Sequence, residues 1–334
     1  MTIPSVAANE QTTPSSEPGA PYAHAGRLHG NSVGDRAYDL ATALFAVCVP
    51  VLLLLIGWEV ARAGWPALHR FGFGFITRSD WDPVHGQFGA APAIFGTLVS
   101  SAIALLIATP LALGVAIFLS ELAPSRLRQP VAFVVDLLAA VPSVVYGLWG
   151  IFVLVPVLRS PVMPFLRDTL HLGATPLFSG PAYGPSMLAA GVILAIMVLP
   201  YVAAISREVL LAVPRAQREA ALALGATRWE MIRGAVLPFA RSGIIGGIIL
   251  GLGRALGETM AVTMVIGNRD VISASLLAPG DTMASLIANQ FSEASSQLHL
   301  SALMAVGLVL LVITLVVNAI ARWLVWRTAR GVAT

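Results

Sequence analysis

The chain contains no lysine; all 20 of its basic residues are arginine. Any chemistry that needs a lysine amine is thereby excluded. That includes the phosphate-cradling loop G-x-x-x-x-G-K followed by Ser or Thr, whose lysine reaches the β- and γ-phosphates of a nucleotide. Cysteine is almost as scarce. Cys48 stands alone in the first apolar run, which rules out a disulfide within the chain and leaves a cysteine metal cluster without ligands. Charge is thin overall: 11% of the 334 residues are charged and 57% hydrophobic, where a soluble domain carries roughly a quarter charged residues. The net charge of +3 does not mark a nucleic-acid partner, because the arginines sit mostly in loops between apolar runs.

What the chain has in excess is apolar runs of membrane length. A helix needs about 20 residues to cross ~30 Å of hydrocarbon, and six runs meet that length, near 39–61, 93–120, 131–158, 186–206, 242–267 and 301–323. An all-α membrane protein with six transmembrane helices is expected. Pro110 and Pro142 fall inside spans, where neighbouring helices can satisfy the freed backbone groups. Residues 1–37, rich in Pro, Ser, Ala and Gly, read as a disordered cytoplasmic tail, and 326–334 as a short C-terminal one. Residues 38–90 hold the first span and an outside loop. With both termini in the cytoplasm, thirteen arginines lie inside and six outside, with Arg254 in the membrane; the positive-inside rule favours that orientation. The outside loops 62–92, with DWDPVHGQFG, and 268–300 read as solvated connectors or a docking surface.

Between the fourth and fifth spans the pattern changes. In SREVLLAVPRAQREAALALGATRWEMIRGAVLPFARSG, residues 206–243, Pro214 can open a helix and Gly225 can end it. A second short helix follows, and Leu237-Pro238 leads into the next span. This unit fits either a helix lying on anionic lipid or, given Ala220, Ala221 and Ala223, one packed closely on another protein.

The fifth span, GIIGGIILGLGRALGETMAVTMVIG, carries two charges. On a continuous helix Arg254 and Glu258 are i and i+4 and share a face. A charged residue at mid-bilayer costs about 2.5–3.5 kcal/mol, and an exposed pair returns only ~0.2–0.5 kcal/mol. The pair must therefore face protein or water. Either it is a buried ion pair that fixes packing or a closed gate, or Arg254 receives an anion, for which a planar guanidinium is suited. A carboxylate beside an anion path is tolerable if the anion has a proton to donate, as hydrogen phosphate does and sulfate does not.

EAALALG followed nine residues later by AVLP resembles the EAA loop of ABC-importer permeases, with Glu219, Ala220, Ala221, Gly225, Leu237 and Pro238 at the family's positions. Ala235 stands where the family usually has Ile, which implies a weaker apolar contact there. The resemblance implies a type I ABC importer permease fold over 91–325, whose coupling loop, about 207–241, seats in a groove of an ATP-hydrolysing subunit. GRALGETMAVTMVIGN, FGTLVSSAIALLIATPLALGVAIFLSE and AVPSVVYGLWG further resemble the PstC-type permeases of phosphate-specific importers. That resemblance implies four kinds of partner besides lipid: a second permease of PstA type, two ATPase subunits of PstB type, an extracytoplasmic binding protein of PstS type, and inorganic phosphate. It places Arg254 and Glu258 in the substrate path and the protein in the bacterial cytoplasmic membrane. No cofactor is expected on this chain, and ATP and Mg would be used by the partner ATPase. Other expectations are a permease for sulfate or molybdate, or an ion-driven secondary transporter, whose duplicated halves are not visible here.

Overall fold

The computed structural model describes residues 33–181 and 183–330. Among them six helices are long and apolar enough to cross a membrane, at 34–71, 91–122, 143–169, 187–211, 228–256 and 297–327. Asp82 and Gln87 form an isolated antiparallel bridge; the rest is helix and connecting loop. The chain divides into two units, residues 1–54 and 55–334. In the first, helix α1 (Val33–Phe71) has already begun, so residues 33–37 are helical rather than part of a tail; the remainder of the expected tail lies outside the described residues. Leu40, Leu44, Phe45 and Leu54 on α1 are exposed, as is Cys48, which suits a surface that meets lipid.

In the second unit, α2 (Ala91–Ile117) buries a stripe of small residues. Gly96, Ser100, Ala104, Ala108, Ala112 and Ala116 recur every four residues, so they fall along one side of the helix. Such stripes let backbones approach where no hydrophobic effect drives helices together. α2 packs along α5 (Met187–Leu211), so closely that a side chain added at Gly191 would meet Ile103 at 2.4 Å. α5 is the most enclosed span. Around it lie α3 (Ser125–Ala140), α4 (Ser143–Trp149), α8 (Leu237–Leu256) and α9 (Met260–Ile266).

The third span differs from expectation at its start. Residues 131–140 belong to α3, which stops before Pro142, while Val141 is extended with ψ 128°. A residue before proline is pushed out of helical geometry, so the membrane helix starts at Ser143. Pro110 leaves α2 unbroken.

A second core gathers Ala67, Phe75, Phe88, Met283, Leu286, Leu303 and Val306, contributed by the end of α1, the segment after it, α10 (Met283–Gln290) and α11 (Gln297–Arg330). Helix α11 takes in residues 326–330 of the expected C-terminal tail; residues 331–334 lie outside the described residues. Within DWDPVHGQFG, Trp81 and Phe88 are folded onto this core, while Asp80, Pro83, Val84, His85 and Gln87 stay exposed as in a solvated connector. Trp81 Nε1 donates to Gln290 Oε1 at 2.7 Å, and His299 Nε2 lies 3.0 Å from the same oxygen. Phe88 stacks on His299 with centroids 5.3 Å apart.

Candidate functional site

The fifth span breaks where its two charges lie. α8 ends at Leu256, Gly257 caps it, and helix resumes only at Met260. Glycine costs a helix about 1 kcal/mol relative to alanine, and the Thr259 hydroxyl bonds back to the Gly257 carbonyl at 3.4 Å, which competes with helical pairing. Arg254 thus sits in the last turn of α8 while Glu258 lies in the break, and the shared helical face expected from their spacing does not exist. Among the described residues the two form no ion pair.

Each has another environment. Glu258 is buried, 9% exposed, and its Oε1 receives the Ala261 backbone N–H at a long 3.5 Å. Glu258 thus lies at the start of α9, where backbone N–H groups lack intrahelical partners. Arg254 is half-buried, with Cζ 4.6 Å from the centroid of the Tyr201 ring on α5. Its Nε is buried and, among the described residues, has no hydrogen-bond partner.

Three residues near this point were not singled out by the motif reading, although Tyr146 lies within AVPSVVYGLWG. The Tyr201 hydroxyl donates to the Ala139 carbonyl at 2.9 Å and Tyr146 to Leu138 at 2.7 Å, both at the end of α3. Asn318 on α11 approaches Gly253, its Nδ2 lying 3.7 Å from where a side chain there would begin, and its Oδ1 is buried without a partner. The available signal was a polar atom within an apolar run, in LPYVAAI and LVVNAIA.

The segment between the fourth and fifth spans forms two short helices, α6 (Arg215–Ala223) and α7 (Arg228–Met231). Gly225, with φ +88°, makes the turn between them, a conformation that favours glycine. Thr227 and Glu230 form a reciprocal cap on α7. Glu219, Ala220 and Gly225 are exposed and Ala221 half-buried; Leu224 is 90% and Trp229 61% exposed. Leu237 opens α8 with Pro238 in its first turn, and no break separates it from α7. A π-helical turn over Ile232–Val236 joins α7 to α8, making one helix over 228–256; a wider turn accommodates the N–H that Pro238 lacks.

Arg218 on α6 was not singled out by motif. Its NH2 lies 2.7 Å from Glu121 Oε1 and its Nε 3.2 Å from Oε2, and it also donates to the carbonyls of Leu210 and Val213. Glu121 lies in the π-helical turn Phe118–Leu122 that ends the second span. The two side chains are 18% and 6% exposed. One arginine thereby ties α6 to the ends of α2 and α5.

Among the described residues, six membrane-length helices, an arginine in the fifth of them with no oxygen partner, and an exposed helical pair braced against the span ends define a membrane-spanning transporter subunit. The chain belongs to the family described as binding-protein-dependent transport system inner membrane component, whose profile matches residues 108–330. Within that family it is similar to the phosphate transport system permease protein PstC of Mesorhizobium japonicum, 48% identical over 88% of this chain and 90% of that one. The protein of the same name from Xylella fastidiosa is 48% identical over 88% and 91%. The probable phosphate transport system permease protein PstC of Methanocaldococcus jannaschii is 42% identical over 83% and 89%. Among solved structures, a chain of a bacterial ABC transporter involved in the import of the acidic polysaccharide alginate superposes with TM-score 0.54. That match covers 87% of this chain and 98% of that one at 18% identity, and it identifies the fold as that of an ABC importer permease.

Proposed function

We propose that this chain is the permease subunit of an ATP-driven importer of inorganic phosphate, with Arg254 and Glu258 in the substrate path. The observation that carries the reading is the similarity, at 42–48% identity over more than four fifths of the chain, to permeases of phosphate transport systems. Arg254 supports it: a half-buried guanidinium without an oxygen partner suits a passing oxyanion. The companions are a PstA-type permease, two PstB-type ATPase subunits that use ATP and Mg, and a PstS-type binding protein on the outside face. Both termini lie in the cytoplasm, and the protein resides in the bacterial cytoplasmic membrane. Residues Glu219, Ala220, Ala221 and Gly225, with Leu237 and Pro238 behind them, form the coupling surface on which the ATPase seats. Exposed Leu224 and Trp229 add apolar area to that surface.

Uptake of labelled phosphate, in cells lacking their own importer and supplied with the companion subunits, tests this reading. A hydrogen bond to a charged group contributes about 1.5–3 kcal/mol, so Arg254→Gln lowers uptake roughly ten- to hundredfold. Glu258→Gln, which keeps one acceptor oxygen but loses the charge, narrows the preference for phosphate over sulfate. Uptake that persists with an inactive ATPase subunit, or an Arg254→Gln importer with wild-type rate, overturns the proposal.

A further inference from the structure

Of the two readings the sequence left open for Arg254, one paired it with a carboxylate; the structure places it on a ring instead. The Cζ of Arg254 lies 4.6 Å from the Tyr201 centroid, its Nε is buried without a partner, and Glu258 turns to the start of α9. The difference matters for an anion. A carboxylate partner occupies the N–H donors of a guanidinium, often two at once. An incoming oxyanion must then expel a group of its own charge. A ring face attracts the cation through its quadrupole and offers no oxygen to those donors. The ring is itself fixed. Tyr201 donates through its hydroxyl to the Ala139 carbonyl at 2.9 Å, in the last turn of α3, where carbonyls lack intrahelical partners.

We infer that Tyr201 is a positioning residue for Arg254: its ring holds the guanidinium at rest and leaves the N–H donors open to a tetrahedral oxyanion. This rests on Arg254 as the anion-receiving group of the proposed path. The tie to Ala139 carries the consequence further. Because the platform spans from α3 to α8 through α5, a displacement of the end of α3 moves the ring under Arg254 and changes where the charge sits.

The test is uptake of labelled inorganic phosphate by proteoliposomes carrying the complete importer with saturating loaded binding protein, with ATP hydrolysis measured in parallel. Contacts of this kind shift an equilibrium by roughly 2- to 30-fold. Tyr201→Leu, which removes both the ring and the tie, lowers uptake about tenfold while the amount of assembled importer is unchanged. Tyr201→Phe keeps the ring and loses only the tie, and retains most of the activity. Should the leucine variant fail to assemble, phenylalanine is compared at position 201 with its trifluorinated analogue, which keeps shape and weakens the ring quadrupole. Uptake then falls with fluorination. Equal uptake by the phenylalanine and trifluorophenylalanine proteins, or equal losses for Tyr201→Phe and Tyr201→Leu, overturns the inference. Arg254→Gln is run alongside. If it transports normally, the path itself is misplaced; if it is inactive while the ring variants are unaffected, only the role of Tyr201 falls.

Discussion

Asp281 is 3% exposed, and burial pushes its carboxyl from an ordinary 3.8 up to about 7 against the bonds from Ser285 and Thr282, with Asp270 adding repulsion. Burial likewise pushes Asp270 up to about 6, opposed by its hydrogen bond to Asp281. The folded loop between α9 and α10 therefore holds protons that the unfolded chain has released. Its stabilisation is fully present below pH about 3.8 and is lost as pH rises through about 6 to 7. Asp281→Asn keeps an acceptor for Thr282 and Ser285 and cannot ionise. The melting temperature of the variant relative to wild type should rise between pH 5 and pH 8; a difference that stays flat across that window rules the assignment out. Neither acid was legible in the sequence, because nothing local distinguishes them from loop aspartates. Arg254 and Glu258 were legible, since charge inside an apolar run is costly wherever the run folds. Their relation was not. The i,i+4 argument assumed an unbroken helix, and the turn at Gly257 and Thr259 is set by two or three local bonds that periodicity does not record. The contact to Tyr201 joins residues more than fifty apart, beyond any local pattern.

Among the elements, α6 owes its placement to one arginine. Removing one member of a buried ion pair strands the other and costs about 3–5 kcal/mol, and the Arg218–Glu121 pair, 18% and 6% exposed, is enclosed enough for that range to apply. Glu121→Ala should lower the thermal stability of the assembled importer by an amount in this range. Glu121→Gln, which keeps one acceptor, should cost less. Because the pair links the helix proposed to seat the ATPase to the end of the second span, the same variants should reduce phosphate taken up per ATP hydrolysed. An equal fall in both rates would instead mean that only assembly had suffered. The helices themselves were largely readable: Pro214 and Gly225 bound α6 as their backbone chemistry requires. The two prolines within spans were not distinguishable. Pro110 leaves α2 continuous, whereas helix stops before Pro142, where the hydroxyls of Tyr146 and Tyr201 satisfy the carbonyls of Leu138 and Ala139. The break is stable because tertiary partners complete it, and those partners lie on other helices.

For the whole molecule, the six spans follow from the bilayer, whose thickness dictates run length independently of how the runs pack. Which spans touch does not follow, because small residues occur in several spans and only the folded chain shows that those of α2 meet α5. Orientation belongs to the same scale and rests on arginine placement. It can be measured on the full chain, since Cys48 is the sole cysteine and Cys48→Ser leaves a thiol-free background. Two positions then report the two faces: Val84, 88% exposed in the loop after α1, and Ala216, exposed on α6. A membrane-impermeant maleimide should label Val84→Cys in intact cells and Ala216→Cys only after the membrane is opened. Expressing the chain without the ATPase subunit keeps α6 uncovered for the second measurement. Labelling of Ala216→Cys in intact cells would place the coupling helices on the face opposite to the ATPase, and the proposed importer could not then work.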